Sequence, residues 1–193
     1  MYSFLYDKLS TVPRRRLEAD GLKPAAVLLA ISDAEQPEII LTQRSLNLST
    51  HQGQVAFPGG KCDAEDQDEI ATALREAHEE VALAPSQVKV VGQLGQVYSR
   101  HGFLVTPIIG VIAPASLLSL KANPDELDHV FTVPVAHLLE QKPAMRSVQM
   151  LPGYYQVPTF EYQGFTIWGM TAFVLAEFLN FVYDAGFPLQ QKP

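Results

Sequence analysis

Cysteine is all but missing from this 193-residue chain: Cys62 stands alone, so no disulfide can close within it. Low-complexity tracts, Ser/Gly-rich stretches and internal repeats are lacking too, which together with 47% hydrophobic residues excludes an intrinsically disordered chain. Met1 to Tyr6 run straight into Asp7 and Lys8, with no basic stretch followed by an apolar one. A secretory leader is therefore not expected, and a cytoplasmic protein is. The longest stretch without charge, Gly102 to Leu120, approaches membrane-spanning length, but Pro107, Gly110 and Pro114 interrupt it and its first half is rich in β-branched residues. It reads as a buried strand followed by a turn, not as a membrane span. Positive charge is also scarce. Fourteen Lys and Arg stand against 21 Asp and Glu, a net charge of −7, which has the wrong sign for a duplex nucleic-acid binder.

The length suits one domain spanning residues 1–193, with no evident linker. Its negative charge is concentrated. Between Lys61 and Glu80 lie eight carboxylates and two bases, whereas the remainder of the chain carries 13 acids and 12 bases and is almost neutral. Around this segment the pattern reads as an N-terminal helix with Pro13 as a breaker, then strands at Pro24–Ile31, Ile39–Thr42 and Gln54–Phe57, the last stopped by a Pro58-Gly59-Gly60 turn. Val88–Val97 and Phe103–Ile112 read as a second strand pair, Val130–Val133 and Tyr154–Ile167 as further strand. Apolar residues from Ala172 to Val182 recur at helical spacing, predicting a C-terminal amphipathic helix. The mixed order predicts an α/β fold, a mixed sheet covered by helices.

The acidic segment contains a predicted helix running to about Leu83, capped by Asp66 or Asp68, with Asp66 and Glu69 spaced as in a capping box. At roughly 100° per residue, Glu69, Glu76 and Glu80 fall within about 40° of one another, with Glu79 about 60° to one side. Ile70, Leu74, Ala77 and Val81 form a separate apolar face. A solvated acidic face is the usual meaning of such charges. Yet Glu76 and Glu80 repel at i and i+4, and Glu79 and Glu80 lie at the negative end of the helix dipole. Oxygen ligands grouped on one rigid face suit a hard divalent cation such as Mg²⁺ or Mn²⁺.

Gly60, Asp66 and the run Arg75-Glu76-Ala77-His78-Glu79-Glu80-Val81-Ala82-Leu83 resemble the Nudix box. The R-E-x-x-E-E core is intact. The spacing from Gly60 to Arg75 is one residue longer than the general pattern, the first acidic position is Asp66 in place of Glu, and Ala82 stands where the box has Gly. Upstream, Leu41-Thr42-Gln43-Arg44-Ser45 and His51 through Gly60 resemble the additional motif of Nudix coenzyme A diphosphatases, a branch that also carries the one-residue extension. That branch often has a basic residue where this chain has Ser49. The two motifs span residues 41–60 and 60–83.

The resemblance implies a Nudix α/β/α sandwich and metal-dependent hydrolysis of the diphosphate of coenzyme A, and of acyl or oxidised coenzyme A, to 3′,5′-ADP and 4′-phosphopantetheine. It implies Glu76 and Glu80 as ligands of Mg²⁺ or Mn²⁺, and Glu79 as a further ligand or as the base that orients water. Arg75 would orient a glutamate, and Glu126, in the segment Asn123–Leu127, is a second candidate for the base. Gly59 and Gly60 would let backbone approach metal and phosphates, while Arg44 and His51 would meet the substrate, with Arg14–Arg16 or Arg100-His101 as further phosphate contacts. Tyr154, Tyr155, Phe160, Tyr162 and Trp168 can stack on adenine or simply pack in the core. The partner implied is a small molecule, with neither nucleic acid nor membrane; homodimers are frequent in the family. Two other readings stay open: the same chemistry on ADP-ribose, a dinucleoside polyphosphate or a damaged nucleotide, and a ligand-sensing module without catalysis. The second is disfavoured because such modules typically lose box carboxylates.

Overall fold

The computed structural model describes residues 2–11, 16–17, 21–47, 52–99, 101–150 and 153–191. A helix α1 (Tyr2–Ser10) precedes strands β1 (Lys23–Ser32), β2 (Glu38–Arg44), β3 (Val55–Ala56) and β4 (Gly59–Lys61). Helix α2 (Glu69–Val81) follows, then β5 (Val88–Gln93), β6 (Val97–Tyr98), β7 (Phe103–Ile112) and β8 (Leu127–Pro134). The chain ends with α3 (Val135–Glu140), β9 (Ala144–Met150), β10 (Gly153–Tyr162), β11 (Phe165–Ile167), α4 (Gly169–Tyr183) and β12 (Gln190–Gln191).

Strands β1 and β7 pair in parallel along ten residues, from Lys23 opposite Phe103 to Ser32 opposite Ile112, and all other pairings among the described residues are antiparallel. The main sheet runs β3-β2-β1-β7-β5, with β4 on β1, β6 on β7 and β8 on β2. A central strand buried on both faces reads as a near-continuous apolar run, and β1 is one. Its Ala26, Leu28 and Ala30 pack with Ile40 against Ala73, Ala77 and Val81 of α2. The alternate residues Leu29 and Ile31 join Ile39 and Leu41 on the opposite face, with Leu175, Phe178 and Leu179 of α4 and Leu5 of α1. The mixed sheet between helices expected from the sequence is what forms.

Three local expectations change. Gly59 and Gly60 are not a turn but the strand β4, in register with Val27 and Ala26 of β1. Gly59 has φ of 154°, and a Cβ there would collide with the backbone of Ala26 and Val27, so only glycine lets this strand close on β1. The strand expected over Val88–Val97 is bent by a register shift between Val90 and Gly92 and is interrupted after Gln93, where the Leu94 N–H turns to the carbonyl of Pro107. Helix α4 is not amphipathic: Thr171 through Leu179 are all buried. The reason is that the hairpin β9–β10 and its neighbour β11 form a second sheet that covers the side a surface helix would expose to water. No helix among the described residues is long and apolar enough to cross a membrane.

Candidate active site

Helix α2 begins where Asp68, in extended backbone, accepts a hydrogen bond from the Ala71 N–H at 2.8 Å. Asp66 is not the cap. Its two carboxylate oxygens take Arg75 Nε at 3.0 Å and Nη2 at 2.9 Å, with the Asp63 N–H and Thr72 hydroxyl as further donors. This bidentate pair, on an Asp66 side chain 7% exposed, holds its carboxyl well below the usual carboxylate range, chiefly through the guanidinium. The helix ends in a left-handed Ala82 with φ of 58°, whose N–H bonds the carbonyl of His78 while that of Leu83 bonds the carbonyl of Ala77.

The remaining Arg75 nitrogen reaches the helix's own carboxylates: Nη1 lies 3.1 Å from both Glu76 Oε1 and Glu79 Oε2. A guanidinium clamped on one side by Asp66 thus orients two glutamates on the other. Glu79 is the outer one, its side chain 54% exposed. Glu80 is the inner one, 3% exposed, accepting the Gly59 N–H at 3.0 Å and lying 3.9 Å from Arg44 Nη1. Burial pushes the Glu80 carboxyl up to about 7, the Gly59 bond opposing and the charges of Glu76 and Glu126 adding to it. Burial also raises Glu76, with Arg75 opposing and Glu79 and Glu126 adding. A Cβ on Gly60 would overlap the Glu76 carboxylate, so only glycine lets that carboxylate lie against β4.

Glu126 arrives from a loop more than forty residues downstream. The Asn123 N–H bonds the Glu80 carbonyl at 2.8 Å and the Lys121 N–H bonds the Val81 carbonyl, satisfying the open end of α2. The Glu126 carbonyl in turn takes the N–H of Ser45, just past Arg44. The loop therefore ties the C-terminus of α2 to the end of β2, and Glu126 joins the electrostatic neighbourhood of Glu76 and Glu80. The residues suit a divalent cation: Glu76 and Glu80, each with its proton affinity raised by burial and by neighbouring carboxylates, oxygen donors only, and two glycines of β4 beside them. Among the described residues, no three His, Cys, Asp or Glu side chains converge into a ready-made cage.

Arg44 also faces a cavity of about 400 Å³ whose walls include Gln54, Val55 and Ala56 from the upstream motif, Ser99 and His101, and Trp168 to Thr171 at the start of α4. From β9 come Arg146, Ser147 and Val148. Sequence reasoning named Arg44, His101 and Trp168 but missed Arg146 and Met170, which no local pattern marks. Of the other aromatics, Phe160 is fully buried, Tyr155 meets Phe173 edge-on, Tyr162 meets His137 edge-on, and Tyr154 is exposed. Neither Arg16 nor these four line the cavity. His51, Arg14, Arg15 and Arg100 lie outside the described residues.

A sheet sandwiched by helices, with clustered carboxylates on one helix beside a cationic cleft, defines a class of protein built to act on anionic substrates with a cation's help. The NUDIX domain pattern matches residues 22–152, and the chain belongs to that family. It is 43% identical over 164 residues to an uncharacterized Nudix hydrolase NudL of Photorhabdus laumondii, covering 84% of this chain and 86% of that protein. It is 42% identical over 168 residues to the NudL of Escherichia coli K12, covering 86% and 85%. A MutT/nudix family protein from Enterococcus faecalis shares the fold with TM-score 0.54 at 14% identity, over 94% of this chain and 69% of that one. An Ap4A hydrolase from C. elegans does so with TM-score 0.50 at 18% identity, over 62% and 85%. The chain is thus a hydrolase of the Nudix family, whose members generally use divalent metal ions and act on pyrophosphate bonds of nucleoside diphosphate derivatives.

Proposed function

We propose that this protein hydrolyses the diphosphate of coenzyme A, and of its acyl or oxidised forms, with Mg²⁺ or Mn²⁺, releasing 3′,5′-ADP and 4′-phosphopantetheine. The observation that carries the reading is the place of the upstream motif: its residues Arg44, Gln54, Val55 and Ala56 form a wall of the cavity, and Arg44 touches both that cavity and Glu80. A motif similar to that of coenzyme A diphosphatases thus stands where a substrate held at the carboxylates would extend.

When bound, a divalent ion supplies charge neutralisation for the diphosphate and the water that attacks it. Glu76 and Glu80 would hold it, with Glu79 as a further ligand. Arg75, anchored by Asp66, keeps Glu76 and Glu79 turned toward the cleft. Glu80 Oε2 is oriented by the Gly59 N–H, and Gly60 lets the Glu76 carboxylate lie against β4. Arg44 pairs with a phosphate oxygen, an arrangement its planar fork favours. The proton leaving the attacking water passes to the carboxylate of Glu79 or Glu126; Glu126 reaches the cluster without Arg75 on its oxygens, which leaves it the freer base. His51, in the same motif, is a further substrate contact. In this reading residues 1–193 act as a single cytoplasmic domain on a small-molecule substrate, as a monomer or a homodimer.

The test is product analysis with coenzyme A and, separately, ADP-ribose, each with Mg²⁺, with Mn²⁺ and with chelator, on wild type and on Glu80→Gln. Metal-dependent release of 3′,5′-ADP, faster than any cleavage of ADP-ribose and lost in Glu80→Gln, is expected. Cleavage of ADP-ribose with coenzyme A left intact would overturn the substrate assignment, and cleavage of neither would overturn catalysis. Comparing Glu79→Gln with Glu126→Gln in the same assay identifies the base as the variant whose kcat falls about 100-fold or more.

A further inference from the structure

The cavity beside Arg44 holds a second arginine that the proposed diphosphate chemistry does not use. Arg146 lines it from β9, beside the polar His101 from the segment before β7. Among the described residues no Asp or Glu lines it, in a chain whose acids outnumber its bases by seven. Between these polar residues the wall is apolar, with Val148, Trp168 and Met170. The volume of about 400 Å³ is that of a small-molecule site. One cation, Arg44, is shared with the carboxylate cluster at 3.9 Å from Glu80, whereas Arg146 meets no carboxylate among the described residues that line the cavity. A cavity lined by two arginines, one of them shared with the carboxylate cluster, and by apolar side chains fits a ligand carrying two anionic groups.

We propose that Arg146 is a specificity residue that binds a phosphate monoester which the substrate bears outside its scissile diphosphate, while Trp168 and Met170 pack on the adjoining nucleoside. This rests on the coenzyme A reading, in which the 3′-phosphate of the ADP moiety is that second anion. It separates substrates by one group: coenzyme A has the monoester, while dephospho-coenzyme A and ADP-ribose lack it. A guanidinium meets such a phosphate through two parallel charge-assisted hydrogen bonds, and removing one partner leaves the other charge without its match. Arg146 is exposed at the rim of the cavity, and its replacement leaves the fold intact.

Two measurements test it. In the first, kcat/KM for coenzyme A and dephospho-coenzyme A is compared in wild type and Arg146→Gln. A loss of about 10- to 100-fold on coenzyme A, with less than about twofold on dephospho-coenzyme A, is expected. Equal losses on both substrates, or none on either, would overturn the assignment. In the second, calorimetry in chelator measures 3′,5′-ADP and 5′-AMP binding without any turnover. Wild type is expected to bind 3′,5′-ADP about tenfold more tightly or better, and Arg146→Gln to erase that preference. Equal binding of the two nucleotides by wild type would refute the monoester site even if coenzyme A is hydrolysed. An Arg146-dependent preference in a protein that fails to cleave coenzyme A would sustain the site and overturn the diphosphatase reading alone.

Discussion

Glu80 is the residue whose removal separates folding from function most sharply. It is 3% exposed, and burial pushes its carboxyl up to about 7, against about 4.3 for a free glutamate. Between those values the folded protein binds a proton that the unfolded chain does not. Stability of the metal-free protein therefore falls as pH rises from about 4 through 7 and levels off above. At about 1.4 kcal/mol per unit the ceiling is ~4 kcal/mol; because solvent at the cleft relaxes around the charge, about 2 kcal/mol is expected. Glu80→Gln keeps the shape and an acceptor for the Gly59 N–H but cannot ionise. In chelator at pH 8 the variant should melt about 4 to 8 °C above wild type, and at pH 5 close to it. Adding Mg²⁺ should stabilise wild type alone, with an apparent affinity about tenfold weaker at pH 6 than at pH 8, since the ion must displace a proton. Scanning calorimetry at the two pH values, with and without metal, checks this. A Glu80→Gln protein equal to or less stable than wild type at pH 8 in chelator would show that the carboxylate is satisfied as it stands, and the reasoning would fail.

Asp66→Asn removes the charge that anchors Arg75. Because the folded carboxyl lies below its unfolded value, its stabilisation is present above about pH 4 and is lost as pH falls through the folded value. The variant should lose about 2 kcal/mol at pH 7 and nothing in strong acid, by thermal melts, and its kcat should fall about tenfold as Arg75 swings free. Gly60→Ala drives a methyl into the Glu76 carboxylate, so metal affinity by titration calorimetry should drop at least tenfold while circular dichroism stays unchanged. Ala82→Gly relieves a left-handed alanine at the end of α2 and should stabilise by about 0.5–1 kcal/mol without altering kcat; a loss of stability would mean the turn is not strained.

What could be read locally was read well. The apolar stripe of Ile70, Leu74, Ala77 and Val81 and the carboxylate stripe beside it follow from 3.6-residue periodicity, and Asp68, one of the two caps the sequence offered, is the one used. Strand β7 lies at Phe103–Ile112 as expected, since a β-branched run between Gly and Ala-Pro leaves little choice. Where the sequence misled, the cause was a distant partner. Asp66 resembled a cap but serves Arg75, nine residues on. Pro58-Gly59-Gly60 resembled a turn because glycine and proline usually mark one, yet β1 offers these glycines a strand to pair with. Helix α4 resembled a surface helix because the sheet that covers it is assembled from β9 to β12, strands whose pairing no local pattern announces.

By itself, then, the amino-acid sequence determined the chemistry available to this protein: oxygen ligands on one helical face, an arginine among them, a glycine pair before them, and a negative charge that asks for a cation. Spacing along a helix is a short-range property, and the chain carries it wherever it folds. Only the tertiary structure decided how deeply Glu80 is buried, that Glu126 comes to rest near it, and that Arg146 faces the same cavity as Arg44. Those facts depend on contacts between residues tens of positions apart, and the free energy that fixes them comes from packing both faces of one sheet, which no single segment contains.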